Sequence, residues 1–187
     1  MDRAESLQKH AGDLYVLERH ILKAVARQRV SERLLVMPEA GTVVLAIDRI
    51  LARHVGALET YLTGFGADHR NGVARALSRM SGTVAGLYER MRDQAVSRML
   101  RDDYAALSMA AISYEMLHTV GLAHRDMHLA QISLVHLQDL TTQIIDLSRI
   151  IPHVVATEIA QEEGGDPSVA AEAEKNTHRA WTHEIGV

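Results

Sequence analysis

The chain contains no cysteine, three prolines in 187 residues, and only 4% aromatic residues. Without cysteine there is no disulfide, no thiolate-held iron–sulfur cluster and no thiol nucleophile, a composition compatible with the cytosol. The prolines are Pro38, Pro152 and Pro167, and the long proline-free interval between the first two leaves room for several long helices. With so few aromatics, a core drawn from the 47% hydrophobic residues has to be aliphatic. Sustained period-two alternation is missing, and Asn71-Gly72 fits a helix start better than a hairpin turn. No apolar run approaches the roughly 20 residues needed to cross a bilayer, and Met1–His10 is charged where a secretory signal would be apolar. The net charge is −4, with no lysine or arginine stripe and no basic tail, which argues against nucleic acid as the main ligand. These absences point to a soluble, cytoplasmic protein with neither a membrane nor nucleic acid as partner.

What is present is helical periodicity. Five helices and a tail are predicted: about 4–30, 40–64, 71–91, 103–123 and 126–151. The first carries Leu7, Ala11, Leu14, Ile21, Leu22 and Val25 on one face, and the second Val43, Ile47, Ile50, Leu51, Leu58, Tyr61 and Leu62. The third opens at Asn71, a good cap residue, and keeps four–three spacing through Val73, Leu77, Met80, Val84, Leu87 and Met91. The fourth has Leu107, Ala111, Ile112 and Leu122, and the fifth is capped by Asp126 and expected to end before Pro152. Gln161–Gly165 reads as a linker, after which Asp166-Pro167 could cap a short docking helix bearing Trp181. A domain over 1–155 followed by a linker and tail over 156–187 is the resulting organisation. Four long amphipathic helices with short connections favour an all-α, antiparallel four-helix bundle, with the extra helix across it or at one end.

Several polar residues interrupt the apolar stripes. Glu18 is bracketed by Leu14, Ile21, Leu22 and Val25, and a carboxylate buried there must be neutralised, paired or bound to a cation. His54 lies among Ile47, Ile50, Leu51, Leu58 and Tyr61. Glu115 and His118 form a Glu-x-x-His pair in the fourth helix, and His136 and Asp139 are three apart in the fifth. Residues at i and i+3 project from one helix face, so such pairs can reach a common point on the bundle axis. Carboxylates with imidazoles suit iron, manganese or zinc, and ferritin-like metal sites are built this way. The plainer reading is that Glu18 pairs with Arg19, Lys23 or a facing arginine and that His54 is a hydrogen-bonded core histidine. Glu59 reads as a solvated or interface acid at the stripe's edge.

Asp13-Leu14-Tyr15, then Glu18, then Ile21-Leu22-Lys23-Ala24 resembles the opening helix of the YciE/YciF-like bacterial ferritin-like proteins. Tyr114-Glu115 is similar to that family's Tyr-Glu in its third bundle helix, and His54-Val55, Leu58-Glu59 and Gly66 resemble the end of its second. The resemblance is distant and covers about residues 5–151, including an accessory helix between bundle helices two and three. It implies a stress-associated four-helix bundle, a homodimer, and a carboxylate-rich di-metal site in which Glu18 and Glu115 match ligands. His54 falls on a Gln/His position and Asp139 on a glutamate. Two departures weaken charge compensation: Ile50 stands where a glutamate is expected and Gln143 where a further acid is. The site would then hold one metal, bind weakly or be vestigial, with His118 and His136 as neutral substitutes.

The expectation is therefore a ferritin-like protein binding iron or manganese through Glu18, His54, Glu115, His118, His136 and Asp139, with weak oxidase or peroxide chemistry. The alternative is a metal-free helical scaffold or stress-linked binding protein with a vestigial site.

Overall fold

Asp2 opens the first helix by accepting a 2.7 Å hydrogen bond from the Glu5 amide, satisfying one of the orphan donors of a helix start. This helix, α1, spans Arg3–Gln28. A single turn, α2 (Glu32–Leu35), leads to α3 (Pro38–Thr63), whose first residue is a proline already set in the helical φ. The computed structural model describes residues 2–66 and 95–182, and these are all-helical with no strand among them. After the interval come α4 (Val96–Ala123) and α5 (Met127–Glu163). A 3-10 turn (Pro167–Val169) and α6 (Ala170–Trp181) complete the described chain.

The four long helices pack in a ring: α1 lies against α3 and α4, and α5 lies against the same two. Every neighbouring pair is antiparallel, as the cross-contacts require. Along α1 and α3, Glu18 meets His54 while Arg29 meets Asp48. Along α1 and α4, Glu18 meets Tyr114 while Gln28 meets Asp103. It follows that α3 and α4 run parallel. Tyr61, near the end of α3, donates to Asp126 at the start of α5, whereas the amide of Ser97, at the start of α4, donates to Glu158 near the end of α5. Gly66 and Ala95 therefore stand at opposite ends of the molecule.

The core is aliphatic, as the composition requires, with Ile21, Ile47, Leu51, Leu58, Leu100, Leu107, Leu129, Leu140 and Leu147 fully buried. Gly121 of α4 permits a close approach to α5: a Cβ there would lie 2.8 Å from the Ala130 backbone nitrogen. No helix of the described residues is long and apolar enough to cross a membrane.

Several expectations are corrected. α4 begins at Val96 rather than near 103, because Val96, Met99 and Leu100 are buried and extend its packed face by two turns. Its inward face is Asp103, Leu107, Ala110, Tyr114, Leu117 and Gly121, so Ile112 and Leu122, read as core, are exposed. α5 does not stop before Pro152 but continues to Glu163, ending at Gly164 in the left-handed conformation (φ 73°). A proline inside a helix costs about 3 kcal/mol. Burial of Val154 and Ala156 beyond it, and the packing of α6 on α5, offset that cost. The 155/156 boundary thus falls inside α5, and residues 161–163 are helix rather than linker. The expected tail helix does dock: His153 and Glu174 are 2.9 Å apart, and Trp181 meets Tyr104 edge-on at 5.9 Å between ring centres. The heptad segment 71–91 lies outside the described residues.

Candidate metal centre

Each of the four long helices sends one or two polar side chains to the same level. Glu18 comes from α1, His54 from α3, Tyr114 from α4, and His136 with Asp139 from α5. They form one continuous chain of hydrogen bonds. Asp139 Oδ2 lies 3.1 Å from His54 Nε2, and His54 Nδ1 lies 3.1 Å from Glu18 Oε1. Tyr114 donates its hydroxyl to Glu18 Oε2 at 2.8 Å, and His136 Nδ1 lies 2.8 Å from the same hydroxyl oxygen. Outside, Arg53 donates to Asp139 Oδ2 at 2.6 Å. The two imidazoles are stacked, 3.7 Å between centres and 9° from parallel, and Tyr114 meets both edge-on.

Proton counting fixes much of this chain. Tyr114 has one proton and gives it to Glu18, so His136 must donate from Nδ1, which leaves Nε2 as a bare lone pair. His54 faces a carboxylate oxygen from each nitrogen, so the pair of bonds needs one proton more than a neutral imidazole carries. That extra proton, shared along Glu18–His54–Asp139, holds the two acids together.

The electrostatics follow from burial. Desolvation raises the pKa of Glu18 above its ordinary value, against opposing hydrogen bonds from His54 and Tyr114. Tyr114 is pushed well above its usual value by burial and then by the neighbouring Glu18 charge. His136 is lowered to about 3, first by burial and then by His54, so it is neutral at physiological pH. At Asp139 partial desolvation works upward, but hydrogen bonds from His54 and Arg53 prevail and hold its pKa down.

Glu18, His54 and His136 each bring a ligand atom within 4.8 Å of the other two, and all three residues are buried. Donors bound to one ion at about 2.1 Å lie at most about 4.2 Å apart, so only small side-chain adjustments separate this arrangement from coordination. The group could hold a metal ion. Two imidazoles and one carboxylate make a donor set used by non-haem iron and by zinc.

Of the six residues singled out from sequence, Glu18, His54, His136 and Asp139 are brought together. Glu115 and His118 are not. Glu115 follows the inward Tyr114 by one residue, about 100° around the helix, and is exposed. His118 is half-buried, and its Nδ1 is 2.9 Å from the Ala130 carbonyl across the close α4–α5 contact. Tyr114 and Arg53 are the participants that sequence reasoning left out of the site. Tyr114 could have been found from the 107–110–114–117–121 spacing of α4, whereas nothing local marks Arg53. Comparison with family models, curated proteins and solved structures yields no match to this chain.

Proposed function

We propose that this chain is a ferritin-like four-helix-bundle protein that binds one divalent transition-metal ion, iron or manganese, through Glu18, His54 and His136. The observation that carries the reading is the convergence of these three buried donors from three helices. The open order of the helices, with α3 and α4 parallel, is also how ferritin-like bundles are connected. Charge supports a single ion: a divalent cation would replace the extra proton now shared between His54 and Glu18, with Asp139 as the second negative charge. His136 is already neutral and presents a free nitrogen lone pair. Bound iron or manganese would supply redox chemistry toward dioxygen or peroxide, the basis for a stress-related role in the cytoplasm. Within that chemistry Tyr114 orients Glu18 and fixes the His136 tautomer, and the aliphatic layer around them excludes water.

The decisive measurement is metal content by elemental analysis after anaerobic loading with Fe²⁺ or Mn²⁺. About one ion per chain is expected, falling to background in Glu18→Ala/His136→Ala. Equal sub-stoichiometric metal in both proteins would refute the reading.

A metal-free helical scaffold is the second reading, favoured by the continuous hydrogen-bond chain that already pairs Glu18, His54, Tyr114, His136 and Asp139 with one another. A ligand bound only to the native state must stabilise it, by about 2.7 kcal/mol at a hundred times its Kd. An unchanged melting temperature after chelation, with no metal recovered, would select the scaffold. The proposed dimer, for which the exposed Ile112 and Met116 on the outer face of α4 offer an apolar surface, is tested by light scattering after size exclusion.

A further inference from the structure

The donors of the centre differ sharply in access to solvent. Glu18 and His54 are 0% exposed and His136 5%, whereas the Asp139 side chain is 28% exposed. Asp139 is therefore the member of the chain that a cation arriving from solvent meets first. Its neighbour on that side is Arg53, whose side chain is 60% exposed and whose guanidinium lies 2.6 Å from Asp139 Oδ2. The same oxygen also faces His54 Nε2 at 3.1 Å. One carboxylate oxygen thus links the outermost positive charge to the innermost imidazole.

Resting on the metal-binding reading above, we propose that Asp139 is the access carboxylate of the centre and that Arg53 guards it. The guanidinium occupies Asp139 with a built-in cation, and uptake of a metal ion requires Arg53 to swing aside. Geometry makes this inexpensive. Arg53 sits on a long side chain at the surface, and an ion pair exposed to this degree is worth no more than about fivefold in an equilibrium constant. Water takes its place readily. A divalent ion gains Asp139 and then the buried donors behind it.

The test uses Co²⁺ alone as probe, with uptake by the metal-free full-length protein followed by visible absorption in a stopped-flow instrument. Arg53→Gln, which keeps a polar side chain but removes the charge and shortens the reach, is expected to take up Co²⁺ several-fold faster than the unmodified protein, up to about fivefold, with the same final spectrum. Asp139→Asn should slow uptake by about tenfold, since steering by a single charged residue at a site's mouth acts mainly on the association rate. Arg98→Gln serves as control: it removes the same charge from an exposed position at the far end of α4. Equal rates in Arg53→Gln and the unmodified protein, or equal acceleration in Arg98→Gln, would overturn the guard while leaving the metal site standing. Absence of Co²⁺ binding in every protein, or undiminished binding in Glu18→Gln, would instead overturn the metal reading itself, and the guard with it.

Discussion

Two buried acids face the α1–α4 interface, and only one of them belongs to a candidate site. Glu18 and Asp103 are both 0% exposed. Asp103 Oδ1 accepts from the Gln28 side-chain amide at 2.8 Å, and Glu18 Oε2 accepts from the Tyr114 hydroxyl at the same distance. The contrast lies on the other two helices. Opposite Glu18, α3 and α5 contribute two stacked imidazoles; the Glu18 group is the metal-competent cluster found among the described residues. A buried carboxylate held by an amide across one interface is a polar anchor between two helices. It becomes a candidate metal ligand only when nitrogen donors from further helices meet it.

Breaking the two acids separately gives the largest expected effects. Glu18→Ala should abolish stoichiometric metal, a loss of at least about a hundredfold in affinity, since it removes the one charged donor of the buried triad. Asp103→Ala should leave metal content unchanged and cost about 1–3 kcal/mol of stability, because the Gln28 amide is left buried without this acceptor. Elemental analysis and urea unfolding on the same preparations separate the two. Metal loss in Asp103→Ala would erase the distinction between the regions.

The next effect concerns Tyr114. Tyr114→Phe keeps the ring in its edge-on contacts but removes the hydroxyl linking Glu18 to His136. A destabilisation of about 2 kcal/mol is expected in the metal-free protein, from a hydrogen bond to a charged group and an unsatisfied imidazole N–H. The comparison predicts a smaller loss in the metal-loaded protein, where the ion itself fixes Glu18 and His136. Unfolding curves with and without metal would show whether the gap closes.

Much of this was readable in the chain because Glu18 and His54 each interrupt an otherwise apolar helical face; His136 was less legible, since its own face also carries Ser133 and Gln143. The fourth helix misled for a physical reason. Its inward face mixes the leucines Leu100, Leu107 and Leu117 with small and polar residues, Asp103, Ala106, Ala110, Tyr114 and Gly121, while the bulky Ile112, Met116 and Leu122 are exposed. The close approach to α5 requires a small residue at Gly121, and the polar partners on α1 account for Asp103 and Tyr114; a hydrophobicity stripe registers neither. Continuation of α5 past Pro152 depends on burial of Val154 and on α6 docking from a later segment, neither of which is a local property. Arg53 was invisible for the same reason: its meaning comes from Asp139, 86 residues away in sequence.

Acid provides a subtler contrast in the metal-free protein. His136 titrates at about 3 when folded, against an ordinary value of 6.5, so the folded state binds its proton less readily than the unfolded chain. Its contribution to stability is complete above pH 6.5 and declines as pH falls from there toward 3, with a limiting slope of about 1.4 kcal/mol per pH unit. Glu18 has the opposite sign: its pKa is raised, so its contribution is present below its ordinary 4.5 and lost as pH rises through the folded value. Between pH 6.5 and 5 the histidine contribution falls as the solution is acidified. His136→Gln should flatten the unfolding free energy over that window, while a slope unchanged by the substitution would place the acid sensitivity elsewhere.

The smallest expected effect falls on the residue whose neighbour matters most. Glu115 sits beside Tyr114 in sequence but points to solvent. Glu115→Ala is expected to change stability by no more than about 0.5 kcal/mol, as for other exposed positions, and to leave metal stoichiometry at the unmodified value. The distant resemblance to ferritin-like proteins assigns a ligand to that position, so the variant sets the two arguments against each other. Helix geometry says that only one of Tyr114 and Glu115 can face the centre, and the hydrogen bonds from Tyr114 to Glu18 and His136 say which. Full metal in Glu115→Ala would show that α4 contributes a positioning phenol to this centre in place of a carboxylate. Loss of metal would require α4 to turn by about 100° on loading, carrying Tyr114 out of the core as Glu115 enters.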